Sequence, residues 1–157
     1  MKLDPVTIEI FFHKFTAITE EMAITLQRSA RTTYVKEAGD FGTALATPEG
    51  RFFAYPNFLC VSGFLDSNVG PMISKIDKLQ PGDVIITNHP YESEGLATHM
   101  PDLHLVRPIF HSKRIVAYAW DFIHSADIGG GVPSSISPKF TDLFQEGLQI
   151  VPMKIVK

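Results

Sequence analysis

The pattern His-x-x-Asp occurs twice in close succession, as His99-Met100-Pro101-Asp102 and as His124-Ser125-Ala126-Asp127. Each copy pairs a nitrogen donor that is neutral near physiological pH with a carboxylate whose charge offsets that of a dication. Brought together, His99, Asp102, His124 and Asp127 make an N2O2 set suited to Zn, Mn or Fe rather than to Ca or a thiophilic ion. Pro101 stiffens the first copy, and Gly129-Gly130-Gly131 let the backbone turn closely after the second. Two accessory candidates are weaker. His89 also has an acid three residues on, Glu92, but the intervening Pro90-Tyr91 reads as a turn, and Asp40 after Gly39 has the ordinary job of capping one. At this point two readings stand: a divalent-metal site, or loop histidines and carboxylates engaged in turn hydrogen bonds.

What would bring the two copies together is a β-hairpin. Leu103 to Phe110 and Arg114 to Phe122 are rich in Val, Ile, Tyr and Trp, with only His111-Ser112-Lys113 between them, so they should pair antiparallel. A hairpin joins its own two ends, which places both His-x-x-Asp elements at one edge of a sheet. His104, early in the first strand, reads as a partly exposed or hydrogen-bonded structural histidine.

The remaining elements frame that hairpin. Asp4-Pro5 is a helix start, with a side-chain acceptor at the cap and a proline where no amide partner is needed. Phe11, Phe15, Ile18, Met22 and Leu26 then recur at helical spacing, predicting an amphipathic helix from Pro5 to Ser29. Phe41 to Thr47 and Arg51 to Ala54 form a second hairpin about Pro48-Glu49-Gly50. Leu65 to Leu79 reads as a helix interrupted near Gly70-Pro71, Asp83 to Thr87 as a strand, and Thr141 to Gly147 as a short helix. The expected fold is α+β: one domain over residues 1–157, a long N-terminal amphipathic helix packed on a mainly antiparallel sheet.

Composition narrows the function classes. A net charge of -3 gives no basic face for nucleic acid and no polybasic stretch for anionic lipid. The start is not a leader-like apolar run, no segment has bilayer length, and a cytoplasmic protein is expected. Cys60 is the only cysteine, so a metal must be held by His, Asp or Glu. The triple glycine lacks the Lys-Ser/Thr of a phosphate loop, so ATP, if used, binds elsewhere. Ser134, Ser135 and Ser137 have no nucleophile-elbow context and Cys60 no basic neighbour, so the catalytic residues stay unassigned.

In order along the chain stand Asp4-Pro5-Val6-Thr7, Glu9-Ile10, Lys36, Asp40-Phe41, Leu79-Gln80-Pro81-Gly82-Asp83-Val84, Asn88, Pro90-Tyr91, Thr98-His99-Met100-Pro101-Asp102, His124, Asp127-Ile128-Gly129-Gly130 and Phe144-Gln145-Glu146-Gly147-Leu148. This series resembles the N-terminal region of the hydantoinase B/oxoprolinase family, which includes the metal-binding subunits of acetone and acetophenone carboxylases. The resemblance places His99, Asp102, His124 and Asp127 in the family's metal region. It implies a truncated, N-terminal portion of a hydantoinase B-type subunit, inactive alone. Its partners would be the remainder of that subunit, a hydantoinase A-type subunit that binds ATP, and a small-molecule substrate. The expected reaction is ATP-dependent hydrolysis of a cyclic amide (hydantoin, 5-oxoproline or a lactam); the alternatives are ketone carboxylation and a non-catalytic scaffold. His89 stands where family members usually carry an acid, and Ser125 where they often carry a second His.

Overall fold

The computed structural model describes residues 4–58 and 66–156. Cys60 and Leu65 lie outside them. The long helix α1 spans Pro5–Ser29, and Asp4 caps it by accepting the Thr7 amide at 2.9 Å. A single turn follows, α2 (Thr33–Lys36), then β1 (Phe41–Ala46), β2 (Phe52–Ala54), a short helix α3 (Gly70–Ser74) and β3 (Val84–Thr87). The central hairpin is β4 (Asp102–His111) with β5 (Arg114–His124), and β6 (Met153–Val156) comes last. The strands form one six-stranded sheet in the order β2-β1-β5-β4-β3-β6, with every pairing antiparallel. The α+β arrangement expected from the sequence is therefore the observed one. None of the described helices is long and apolar enough to cross a membrane.

Strand alternation divides the sheet into two faces. On one lie Ala44, Ala46, Ile85, Val106, Tyr118, Trp120 and Phe122, which pack with Val69, Met72 and Leu96 into the main core. Asp102, His104 and His124 belong to this face by register, because Asp102 pairs with His124 and His104 with Phe122. His104 is fully buried and accepts the Trp120 indole N–H at 3.3 Å, the hydrogen-bonded structural role. Burial drives its pKa down to about 4.

The other face carries Phe41, Thr43 and Asp121 beneath α1. Here the helix departs from the expected stripe: the side chains it buries are Thr16, Thr19 and Ala23, while Phe11 and Ile18 remain about half exposed. Small residues let the helix backbone approach β1, and Thr43 Oγ1 donates to the Thr19 carbonyl at 2.9 Å. Bulky side chains on the same turns are displaced to the flanks. Val6, Ile8, Ile10, Phe12 and Ile24 are exposed too, so apolar residues ring the helix.

The helix expected up to Leu79 is confined to Gly70–Ser74 within the described residues. The helix begins at the supposed interruption, and just before it the Asn68 side chain accepts the Gly70 amide at 2.6 Å in a local turn. A Cβ on Gly50 would lie 2.4 Å from the Gly70 amide, so the turn between β1 and β2 presses directly on that start. Beyond Ser74 the chain leaves helical geometry, with Lys78 at φ 26°.

Candidate metal centre

Register builds the site. Asp102 and His124 are the first residue of β4 and the last of β5, and they face each other across the open end of the hairpin. On the other side of β5, β1 runs antiparallel with Phe41 opposite Ile123, which sets Asp40 beside His124. The Asp40 carbonyl accepts the His124 amide at 3.1 Å. His99 arrives from the turn before β4, closed by the Asp102 amide on the His99 carbonyl.

Three donor atoms converge. His124 Nδ1 is 3.0 Å from Asp102 Oδ1, His99 Nε2 is 3.2 Å from the same oxygen, and the two ring nitrogens are 3.2 Å apart. Asp102 and His124 are buried, and His99 is about one-third exposed and opens the group to solvent. Three acceptor atoms this close repel one another unless a proton or a cation lies among them. Donors bound to one dication at about 2.1 Å stand roughly 3.0 to 3.4 Å apart, so the spacing and the two-imidazole, one-carboxylate chemistry fit a metal such as Zn or Mn. Thr98 Oγ1 sits 3.1 Å from His99 Nδ1 and leaves Nε2 to the cluster. The Tyr34 ring packs on His124 with centroids 4.8 Å apart.

The electrostatics are those of a carboxylate held between two imidazoles. Burial alone would raise the Asp102 pKa, but hydrogen bonds from His124 and His99 and the charge of His99 prevail and hold it down to about 2. The hydrogen bond to Asp102 raises the pKa of His99 against the opposing effect of burial.

Of the residues singled out in the sequence, His99, Asp102 and His124 thus come together. Asp40, an accessory there, has its carboxylate 3.6 Å from His124 Nδ1 and 46% exposed. Asp127 is placed apart: its carboxylate accepts the Gly129 amide at 2.7 Å, the Ser134 amide at 3.3 Å and the Ser135 hydroxyl at 3.0 Å, shaping the loop after β5. His89 is also elsewhere, its Nδ1 accepting the Glu92 amide at 3.3 Å and its ring edge-on to Tyr91. Thr98 and Tyr34 were not legible as site residues, and only their place beside a histidine in three dimensions reveals them. The proximity of Asp40 follows from β1 lying next to β5, a pairing of strands far apart in sequence.

Fold and site together define an α+β unit in which one hairpin carries a two-histidine, one-aspartate donor set at its mouth. The chain belongs to the hydantoinase B/oxoprolinase family, whose model matches residues 4–157. The 5-oxoprolinase of Saccharomyces cerevisiae is 34% identical over 160 residues, covering 100% of this chain and 12% of the yeast protein. Among solved structures, the ATP-dependent caprolactamase of Pseudomonas jessenii superposes with a TM-score of 0.77 at 26% identity, over 99% of this chain and 27% of that one. A nucleotide-free acetone carboxylase superposes with a TM-score of 0.79 at 16% identity, over 97% and 20%, which shows a shared fold. The chain therefore spans a small part of the length of the relatives it matches.

Proposed function

We propose that this chain supplies the metal-binding part of an ATP-dependent enzyme that hydrolyses cyclic amides. The observation that carries the reading is the triangle of His99 Nε2, Asp102 Oδ1 and His124 Nδ1, with edges of 3.0 to 3.2 Å. Those three residues would hold a divalent cation, Zn or Mn, or Fe, and Asp40 is the next carboxylate in reach as a fourth donor. A dication there supplies Lewis acidity toward a carbonyl and toward water. The chain's own residues do the rest: Thr98 orients the His99 ring, the Tyr34 ring backs His124, and the exposed edge of His99 leaves the group open to a small molecule. Asp127 supports this centre from the loop it shapes.

Hydrolysis of a lactam, hydantoin or 5-oxoproline is favoured over ketone carboxylation, because the amide-cleaving relatives are the more similar in sequence. Nucleotide would come from a hydantoinase A-type partner. In support, a Cβ on Gly130 would lie 2.7 Å from the Glu146 carbonyl oxygen, so the glycine run here serves close packing of two backbone segments. The apolar side chains that ring α1 support reading residues 1–157 as an N-terminal portion of a longer subunit whose remainder covers them.

The test has two arms. Asp102→Ala should abolish stoichiometric bound metal in the assembled enzyme, as read by elemental analysis; unchanged content sinks the ligand assignment. ATP turnover by the complex with 5-oxoproline, hydantoin or caprolactam, against acetone plus bicarbonate, separates the two reactions. A complex that turns over neither leaves the scaffold reading standing.

A further inference from the structure

Both peptide groups of Met100 are gripped by side chains distant in sequence. Glu146 Oε2 accepts the Met100 amide at 2.8 Å, and Asn88 Nδ2 donates to the Met100 carbonyl at 2.8 Å. Met100 stands between His99 and Asp102 and is fully buried, as is Asn88. The next residue, Pro101, has no N–H of its own and its carbonyl accepts the Ser125 amide at 2.8 Å, so the two Met100 bonds are the side-chain handles on the middle of the turn. We propose that Glu146 and Asn88 are positioning residues for the metal centre, setting the separation of His99 Nε2 and Asp102 Oδ1 by clamping the Met100 peptides. This inference rests on the metal reading above.

The clamp is built from the far end of the chain. Asn88 uses its whole amide: besides Met100 it donates to the Leu148 carbonyl at 2.8 Å and accepts the Ile150 amide at 2.7 Å. One side chain thereby fixes the end of β3, the His99 turn and the segment leading to β6. Glu146 ends a short helical turn, Leu143–Glu146, that Asp142 caps through the Phe144 amide at 2.9 Å. Behind it, the Gly131 amide bonds the Gln145 carbonyl at 2.8 Å and the Leu148 amide bonds the Ile128 carbonyl at 3.0 Å. The stretch 145–148 therefore lies against 128–131, the loop that Asp127 shapes. At Gly147, with φ 118°, a Cβ would lie 2.5 Å from the Ile128 carbonyl oxygen, so the two segments meet backbone to backbone. The Asp127 carboxylate thus acts on the centre at two removes, through Glu146.

Groups that orient metal ligands without touching the ion typically change metal affinity about 10- to 100-fold when removed. The experiment titrates the full chain with Mn2+ alone, reading the dissociation constant by calorimetry and the coordination geometry by electron paramagnetic resonance, with unfolding midpoints measured separately. Glu146→Ala and Asn88→Asp should each weaken Mn2+ binding by about 10- to 100-fold and alter the spectrum. Glu146→Asp keeps the charge but falls short of the Met100 amide, and it should behave like the alanine variant. Glu146→Gln keeps an oxygen acceptor at the same reach and should recover most of the affinity. If the wild type binds Mn2+ and the folded Glu146→Ala and Glu146→Asp chains bind it equally well with the same spectrum, the positioning role is refuted. If Glu146→Gln is as weak as Glu146→Ala, charge and not the clamp is responsible, which refutes it too. A wild-type chain that binds no Mn2+ overturns the metal reading and this inference with it.

Discussion

Replacing Asp121 with asparagine should stabilise the protein at neutral pH and not in acid. Asp121 lies mid-strand in β5 under α1, opposite Thr43, on the floor of a groove of about 450 Å³ walled by Ile18, Met22 and Leu26. The neighbouring Thr43 hydroxyl is committed to the Thr19 carbonyl, and burial alone pushes the Asp121 carboxyl up to about 6. An unfolded chain titrates the same group near about 3.9. The folded state holds its proton to higher pH, so the contribution is fully present below the unfolded value and lost as pH rises through about 6. Two pKa units at about 1.4 kcal/mol each set a ceiling of roughly 3 kcal/mol, and water reaching the groove reduces it to about 1 to 2. Asparagine is nearly isosteric and does not titrate. Urea unfolding followed by the fluorescence of Trp120, the only tryptophan, should show Asp121→Asn gaining about 1 to 2 kcal/mol at about pH 7.5 and little at about pH 4, with unchanged denaturant dependence. A variant less stable than the wild type at the higher pH would refute the argument, because Asp121 would then have a favourable partner. An equal gain at both values would refute it as well.

Three further outcomes are expected. Gly130→Ala should cost about 1 to 3 kcal/mol in thermal or urea unfolding, because its Cβ meets backbone oxygens of Gln145 and Glu146 at 2.9 and 2.7 Å and neither can swing aside. His104, neutral in the core with a pKa near 4, stabilises the fold above its unfolded value near about 6.5 and ceases to as pH falls through about 4. In chelator, the acid limb of the wild-type stability curve should therefore be steeper than that of His104→Gln by up to about 3 kcal/mol, and coincident limbs would contradict this. Chelation should lower the wild-type melting temperature, by the equivalent of about 2.7 kcal/mol from a starting metal concentration one hundred times its dissociation constant, and leave Asp102→Ala unmoved.

How much could be read in advance differs between the two His-x-x-Asp copies. The first straddles the turn into β4, so the fourth residue is the first of the strand and faces the sheet side that His124 shares. The second begins on the last residue of β5, and its aspartate lies past the strand, where a local turn takes the carboxylate. The same spacing yields a shared site in one direction of travel and not in the other. Asp40 could not be ranked above a turn cap, because its neighbour across the sheet is set by strand order and not by local pattern. The start of α1 was legible from Asp4-Pro5, since capping is a matter of the nearest few residues. Its packing face was not, because Thr16, Thr19 and Ala23 are chosen by closeness of approach rather than by hydrophobicity. The point at which the helix after Asn68 starts was not legible for a similar reason, with Gly50 pressing on it across the bridge between Arg51 and Asn68.

The hairpin register also bears on the order of folding. Asp102 and His124 are paired across one tight turn at Ser112-Lys113, whereas Phe41 must find Ile123 across about half of the chain. With closure entropy growing as the logarithm of loop length, the long-range contact costs about 1 kcal/mol more to initiate than the pairing of the hairpin ends. The Asp102–His124 edge of the triangle thus belongs to the local part of the sheet and is expected to form before β1 docks, whereas His99 waits on Glu146 and Asn88. A cation arriving at that stage would meet Asp102 and His124 first, and by tying the open ends of the hairpin it would fix the alignment onto which β1 then adds.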